Sequence, residues 1–218
     1  MIEISPMTCR LCSSAEVVKL DFVLGPRQFF LCNICRLIMT DEGSFPGQEE
    51  EKQRYLLHKN DPGNDGYVRF LSQLTDSLQA LLGFHHTCLD YGCGPVPVLA
   101  GMLENMGINC RLYDPYFFPE MPEGTFDLVV STECFEHFFY PASDITKVLS
   151  KVKNNGMLGT MTELWDSIDK FGNWHYIRDK THVSFFHMDT MEWISENFGL
   201  SLIYTDRKRV VIWQKPGQ

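Results

Sequence analysis

Long apolar runs are missing from this chain. No stretch of its 218 residues approaches the roughly 20 consecutive apolar residues a bilayer-spanning helix needs, so a membrane span is not expected. Positive charge is scarce as well. Nineteen lysines and arginines face 28 acids, a net charge of −9, which disfavours the broad cationic surface of a nucleic-acid binder. The one basic cluster, Arg207-Lys208-Arg209 after Asp206, reads as a solvated hairpin tip. The first ten residues hold no basic segment followed by an apolar one, so no secretion signal is expected and the compartment reads as reducing and cytoplasmic. Internal repeats and low-complexity tracts are absent too. At 44% hydrophobic and 22% charged, the composition is that of a globular chain able to bury a core without staples.

Cysteine, by contrast, is plentiful, and four of the eight fall in two close pairs. Cys9 and Cys12 form one C-x2-C, Cys32 and Cys35 another, with nineteen residues between the pairs. Two intervening residues let a tight turn aim both sulfurs at one ion, and the spacing is that of a four-thiolate zinc site. Val17 to Val23 reads as a strand, Gly25-Pro26 as a turn, and Gln28 to Leu31 as the returning strand, which is the plan of a zinc ribbon. A site closed by four thiolates has no open position, so its role is structural. Cys88, Cys93, Cys110 and Cys134 lack paired spacing and read as buried thiols.

The expected organisation is a zinc ribbon over 1–47, a helical linker or lid over 48–84 and a larger domain over 85–218. Within the linker, Glu49 to His58 fits a short acidic helix. Tyr67, Phe70, Leu71, Leu74, Leu78, Leu81 and Leu82 recur at steps of three and four, the apolar face of a helix over about 66–82. His58, Asn60 and Tyr67 are candidates for a lid lining. The larger domain opens with an apolar run, Thr87 to Tyr91, then Gly92-Cys93-Gly94, then a helix from Pro95 to Met106. Strand, glycine turn and helix bring backbone N–H groups close to a nucleotide-like ligand. A second strand, Asn109 to Tyr113, ends at Asp114, placed to accept hydrogen bonds from a ribose diol. A third strand, Phe126 to Ser131, runs into Thr132-Glu133-Cys134-Phe135-Glu136-His137. A dinucleotide fold would want a third glycine where Pro97 stands.

Four blocks in this order resemble the class I S-adenosylmethionine-dependent methyltransferases over about residues 86–213: Leu89-Asp90-Tyr91-Gly92-Cys93-Gly94, Asp114, Phe126 to His137, and Leu149 to Thr162. The resemblance implies a Rossmann-like, doubly wound α/β sheet. It also implies S-adenosylmethionine as methyl donor, held by Asp90, Gly92, Cys93, Gly94, Asp114, Pro115, Thr132 and Glu133. Only twelve residues separate Asp114 from Asp127, too few for a crossover helix and a third strand, so the sheet is expected to be trimmed there. Pro115 and Tyr116 are then candidates to stack on adenine.

Glu133, Glu136 and His137 at i, i+3 and i+4 would share one helix face, with His182 as a further ligand. This set is similar to the metal site of ubiquinone-pathway O-methyltransferases and of small-RNA 2′-O-methyltransferases, which implies a divalent cation such as magnesium that would acidify an acceptor hydroxyl. The other reading is structural, with His137 hydrogen-bonding a neighbouring strand. In the segment Phe171 to Asp179, Trp174 and Tyr176 either shape a pocket or pack on the ribbon, and His175 or His182 would serve as general base. A helix over Thr190 to Phe198 and strands over Ser201 to Thr205 and Val210 to Gln214 complete the chain. Three functions follow. The first is methyl transfer to a small molecule, at oxygen. The second is RNA methylation, which the acidic charge disfavours. The third is a non-catalytic module that binds the donor and docks a partner through the ribbon.

Overall fold

The computed structural model describes residues 7–22, 24–57, 60–81 and 87–217. Val23, His58 and Leu82, named above for a strand end, a lid and a helix end, lie outside the described residues. Two sheets organise the molecule. The small one contains β1 (Val17–Lys19), β2 (Phe29–Cys32) and β3 (Ile38–Thr40), all antiparallel. Two helices follow, α1 (Gln48–Leu56) and α2 (Asp65–Gln79). Asn64 caps α2, its side chain accepting from the Gly66 and Tyr67 N–H groups.

The large sheet begins with β4 (Thr87–Tyr91), α3 (Val98–Asn105), β5 (Asn109–Tyr113) and β6 (Phe126–Thr132). It continues through α4 (Pro141–Ser150) and β7 (Val152–Met161). A short helix α5 (Ile168–Phe171), the two-residue strand β8 (Ser184–Phe185) and α6 (Met188–Asn197) lead to the closing hairpin β9 (Ser201–Thr205) and β10 (Val210–Gln214). The order is β5-β4-β6-β7-β10-β9, parallel from β5 to β7 and antiparallel for the last two. Among the described residues, no strand lies beyond β5. The loop between Asp114 and Phe126 carries Pro115, Pro119 and Pro122, and proline supplies no ladder donor. The trimmed Rossmann-like sheet expected from the sequence is the sheet observed.

Each face of this sheet is covered. Leu71, Leu74 and Leu78 of α2 and Leu99 and Leu103 of α3 pack on Cys88, Leu128, Val130 and Ile212. The periodic leucines of α2 thus face the sheet, and the burial of each contributes on the order of 2 kcal/mol. The opposite face, Leu89, Val129, Leu158, Val211 and Trp213, receives Ile145 and Val148 of α4 and Met191 and Ile194 of α6. Leu11, Leu37 and Met39 of the four-cysteine segment join this second cluster.

The small sheet is completed from far along the chain. Strand β8 pairs antiparallel with β3, Ile38 opposite Phe185 and Met39 opposite Ser184. The four-cysteine segment therefore shares a sheet and a core with the larger domain. Among the described residues, no helix is long and apolar enough to cross a membrane.

Candidate active site

The four paired cysteines converge. Cys9 Sγ lies 3.5 Å from Cys35 Sγ and Cys12 Sγ 3.4 Å from Cys32 Sγ, and all four sulfurs lie within 4.8 Å of one another. A disulfide needs about 2.05 Å, so these are not bridges. Sulfurs placed about 2.3 Å from a tetrahedral zinc ion would stand a little under 4 Å apart, and the cluster fits that ion. The two knuckles repeat one backbone design. Ser13 and Arg36, each following the second cysteine of its pair, take positive φ of 61° and 60°, and their N–H groups return to the carbonyls of Cys9 and Cys32.

A cleft of about 700 Å3 opens at the C-terminal ends of β4, β5 and β6. Ligands of open α/β sheets bind at this end. Gly92, Cys93, Gly94, Asp114, Pro115, Thr132 and Glu133 all line it, so seven of the eight residues assigned to the donor meet in one place. Gly92 and Gly94 take φ of 79° and 67°. A Cβ on Gly92 would stand 2.4 Å from Cys134 Sγ, so the loop admits only glycine there. The Asp114 carboxylate accepts from the N–H groups of Gly94 (3.0 Å), Tyr116 (2.8 Å) and Phe117 (3.1 Å), tying the glycine loop to the turn after β5.

Asp90 is placed differently. It is buried in β4 and absent from the cleft lining, with Oδ1 lacking a hydrogen-bond partner. Burial pushes its pKa up to about 7, the nearby Asp114 charge adding to the rise.

Helix α1, within the expected linker or lid, forms a wall of the cleft through side chains the sequence did not single out, Gln48, Glu51 and Tyr55. Glu51 is buried and accepts from Tyr55 Oη (3.0 Å) and Tyr116 Oη (2.6 Å), joining α1 to the loop after β5. Arg54 pairs with Asp179 at 2.7 Å and anchors the helix to the segment before β8. Asn60 and Tyr67, named as lid residues, line the cleft. Nothing in an acidic helix such as Gln48–Leu56 marks one glutamate as the buried one.

The Glu133, Glu136 and His137 set departs from the expected helix face. Phe135–His137 is a single 3-10 turn, and Glu133 sits just before it with φ of 48°. One turn at the end of a strand cannot hold positions i, i+3 and i+4 on one face. Ligand atoms of Glu136, His137 and His182 lie within 4.8 Å of one another, and Glu133 stands outside that group. It is joined instead through Tyr176, whose hydroxyl donates to Glu136 Oε1 and lies 3.3 Å from Glu133 Oε2. Thr162 Oγ1 donates to Glu136 Oε2 at 2.8 Å. Burial pushes the Glu136 pKa up to about 7, and burial with the neighbouring Glu136 charge raises Glu133 well above the usual carboxylate range.

His137 Nδ1 meets the Thr181 carbonyl at 3.0 Å and His182 Nδ1 meets the Tyr176 carbonyl at 2.8 Å. A carbonyl only accepts, so each Nδ1 carries a proton, and the His182 ring, kept neutral by burial, holds its lone pair on Nε2. Burial, followed by the adjacent His137, holds His182 well below the usual imidazole range.

A second cavity of about 710 Å3 adjoins the first and shares Phe70, Glu133 and His182 with it. His175 lines this second cavity only, with its side chain 74% exposed and 3.5 Å from Glu163. The structure therefore brings His137 and His182 to the cleft and leaves His175 on the outer rim. Trp174 and Tyr176 pack with Phe29, Leu31 and Ile38 of the small sheet, and Tyr176 also lines the second cavity.

A family model described as a methyltransferase domain matches residues 51–205. Among solved structures, the chain is similar to the 1,6-didemethyltoxoflavin-N1-methyltransferase of Burkholderia thailandensis, solved with 1,6-didemethyltoxoflavin and S-adenosylhomocysteine bound. Identity is 12%, coverage 91% of this chain and 100% of that one, and the TM-score 0.58. An O-methyltransferase family protein of the same organism is 15% identical, with 77% of this chain and 63% of that one covered and a TM-score of 0.52. Both likenesses concern the fold. No curated protein matches the sequence.

Proposed function

The chain belongs to the methyltransferase-domain family, and on that footing we propose that it transfers the methyl group of S-adenosylmethionine to an oxygen of a small molecule. The observation that carries this reading is the junction of the two cavities. The first has the glycine loop and Asp114 of a nucleoside site, and the second reaches it beside Glu133 and His182. Residues Gly92 to Gly94 hold the donor by backbone approach. Asp114, already fixed by three N–H groups, offers the one lone-pair site left on Oδ2 to a ribose hydroxyl. The Pro115 and Tyr116 wall receives the adenine.

The acceptor enters from the second cavity and its oxygen faces the donor methyl. The oxygen lone pair forms the new C–O bond while the C–S bond pair returns to sulfur. The hydroxyl proton passes to Nε2 of His182, which burial keeps unprotonated near neutral pH. His137, its ring 4.8 Å from that of His182, supports it from the first cavity, and His175 serves the outer rim. Alignment of oxygen, carbon and sulfur supplies much of the acceleration.

Zinc at Cys9, Cys12, Cys32 and Cys35 is structural in this reading. The grouping of Glu136, His137 and His182 favours a second arrangement, in which these three hold a divalent cation that lowers the pKa of the acceptor hydroxyl. A polyanionic RNA acceptor is disfavoured by the net charge of −9.

The experiment is turnover of methyl-13C donor against a panel of hydroxyl, amine and carbon acceptors, read by mass and by the methyl carbon shift. The reading expects an O-methyl product. An N- or C-methyl product from the whole panel would move the reaction off oxygen. Full turnover after verified metal stripping of the junction would remove the cation.

A further inference from the structure

The segment that carries Tyr176, Asp179 and His182 is a single 3-10 turn, His175–Arg178, followed by loop. Its backbone has few partners of its own, yet it is buried at Tyr176, Ile177, Thr181 and His182. Beside the His137 ring on the Thr181 carbonyl and the His182 ring on the Tyr176 carbonyl, its partners come from the four-cysteine module. Arg27, one residue beyond the Gly25-Pro26 turn, is 7% exposed, with its guanidinium over the Phe29 ring at 5.2 Å. Its Nη1 donates to the carbonyls of Ile177 and Asp179, both at 2.9 Å, and its Nη2 donates to the carbonyl of His182. Arg10, inside the first cysteine knuckle, continues the row by donating to the carbonyls of Thr40 (3.0 Å) and Val183 (2.9 Å).

We infer that Arg27 is a positioning residue: from the four-cysteine module it fixes the 177–182 backbone and so sets where His182 stands at the junction of the two cavities. The meaning given to His182 rests on the methyltransferase reading; the clamp itself does not. Three converging carbonyls need a planar fork of donors. A lysine at the same place has its three donors on one nitrogen and lacks the two-nitrogen fork that spans these carbonyls. None of Arg27's hydrogen bonds runs to a cysteine, so the clamp and the thiolate site are separable by mutation.

The experiment uses the full-length zinc-loaded protein, with its seven histidines 13C-labelled and the His182 imidazole signal assigned by comparison with His182→Asn. Arg27→Gln is expected to keep its zinc and a cooperative melt while displacing or broadening the His182 signal. Arg27→Lys should move it less in the same direction. If Gln yields too little folded protein, Lys carries the comparison, with a displaced signal expected. A folded variant with the wild-type His182 signal overturns the inference, and so does loss of zinc in Arg27→Gln, which would place Arg27's work in the thiolate site. A parallel titration with S-adenosylhomocysteine separates the two readings. If wild-type protein takes none, the proposed function falls while the His182 comparison still decides the clamp. If it binds, Arg27→Gln should stay within about threefold of wild type, because no glycine-loop contact changes.

Discussion

The strands of the four-cysteine module run three, four and three residues, while those of the large sheet run five to ten. Strands that short cannot bury enough surface to stand alone. The module makes up the difference with four convergent cysteine sulfurs, with a strand borrowed from beyond residue 180, and with apolar side chains buried in the sheet's own core. The large sheet needs none of these, since its central strands are buried on both faces. The contrast assigns the two regions different work. On the readings proposed above, the sheet makes the donor cleft and the module steadies the segment that faces it.

Cys9→Ser should break the comparison most visibly. Structural zinc carries on the order of 10 kcal/mol of binding free energy that is also folding free energy. The variant is expected to lose its metal, and amide-exchange protection should vanish over β1–β3 while β4, β6 and β7 stay protected. Stoichiometric metal retained by the variant would refute the four-thiolate assignment.

Asp90→Asn sharpens the other side. The buried carboxyl has its pKa raised from 3.8 to about 7. Its contribution to stability is whole below 3.8, where folded and unfolded chains are both protonated. It is lost as pH rises toward 7, because the unfolded chain ionises first. Asparagine cannot ionise, so the stability of the variant relative to wild type should climb by about 4 kcal/mol across that window. Parallel pH–melting curves would contradict this.

Gly92→Ala combines a left-handed backbone with a contact at 2.4 Å. A loss of about 3 kcal/mol in urea unfolding is expected, together with failure to bind the donor product. An alanine variant with wild-type stability would mean that Cys134 yields easily.

Much of the large sheet was legible because its signals are local. Thr87 to Tyr91, Ser201 to Thr205 and Val210 to Gln214 are strands with the bounds their patterns suggest. The glycine loop and Asp114 were legible because positive φ and a carboxylate at a strand end are demands a sequence can display. What escaped is non-local. Strand β8 is two residues long and exists only because Ser184 and Phe185 find Met39 and Ile38 across some 145 positions. Arg27 left no trace because its partners are backbone carbonyls, which every residue has. Glu51 differs from Glu49 and Glu50 in facing Tyr55 one turn along its own helix and Tyr116 from the loop after β5. The helix face proposed for Glu133 to His137 failed because the strand ends in one tight turn, a matter of backbone conformation that spacing does not reveal.

The most direct measurement is a calorimetric titration of S-adenosylhomocysteine into wild-type protein and Asp114→Ala. One molecule per chain should bind the wild type. The variant should lose about 1–3 kcal/mol, the scale of a charge-assisted hydrogen bond. Absence of binding to the wild type, or equal affinity in both proteins, would contradict the claim that the glycine loop and Asp114 form the methyl-donor site.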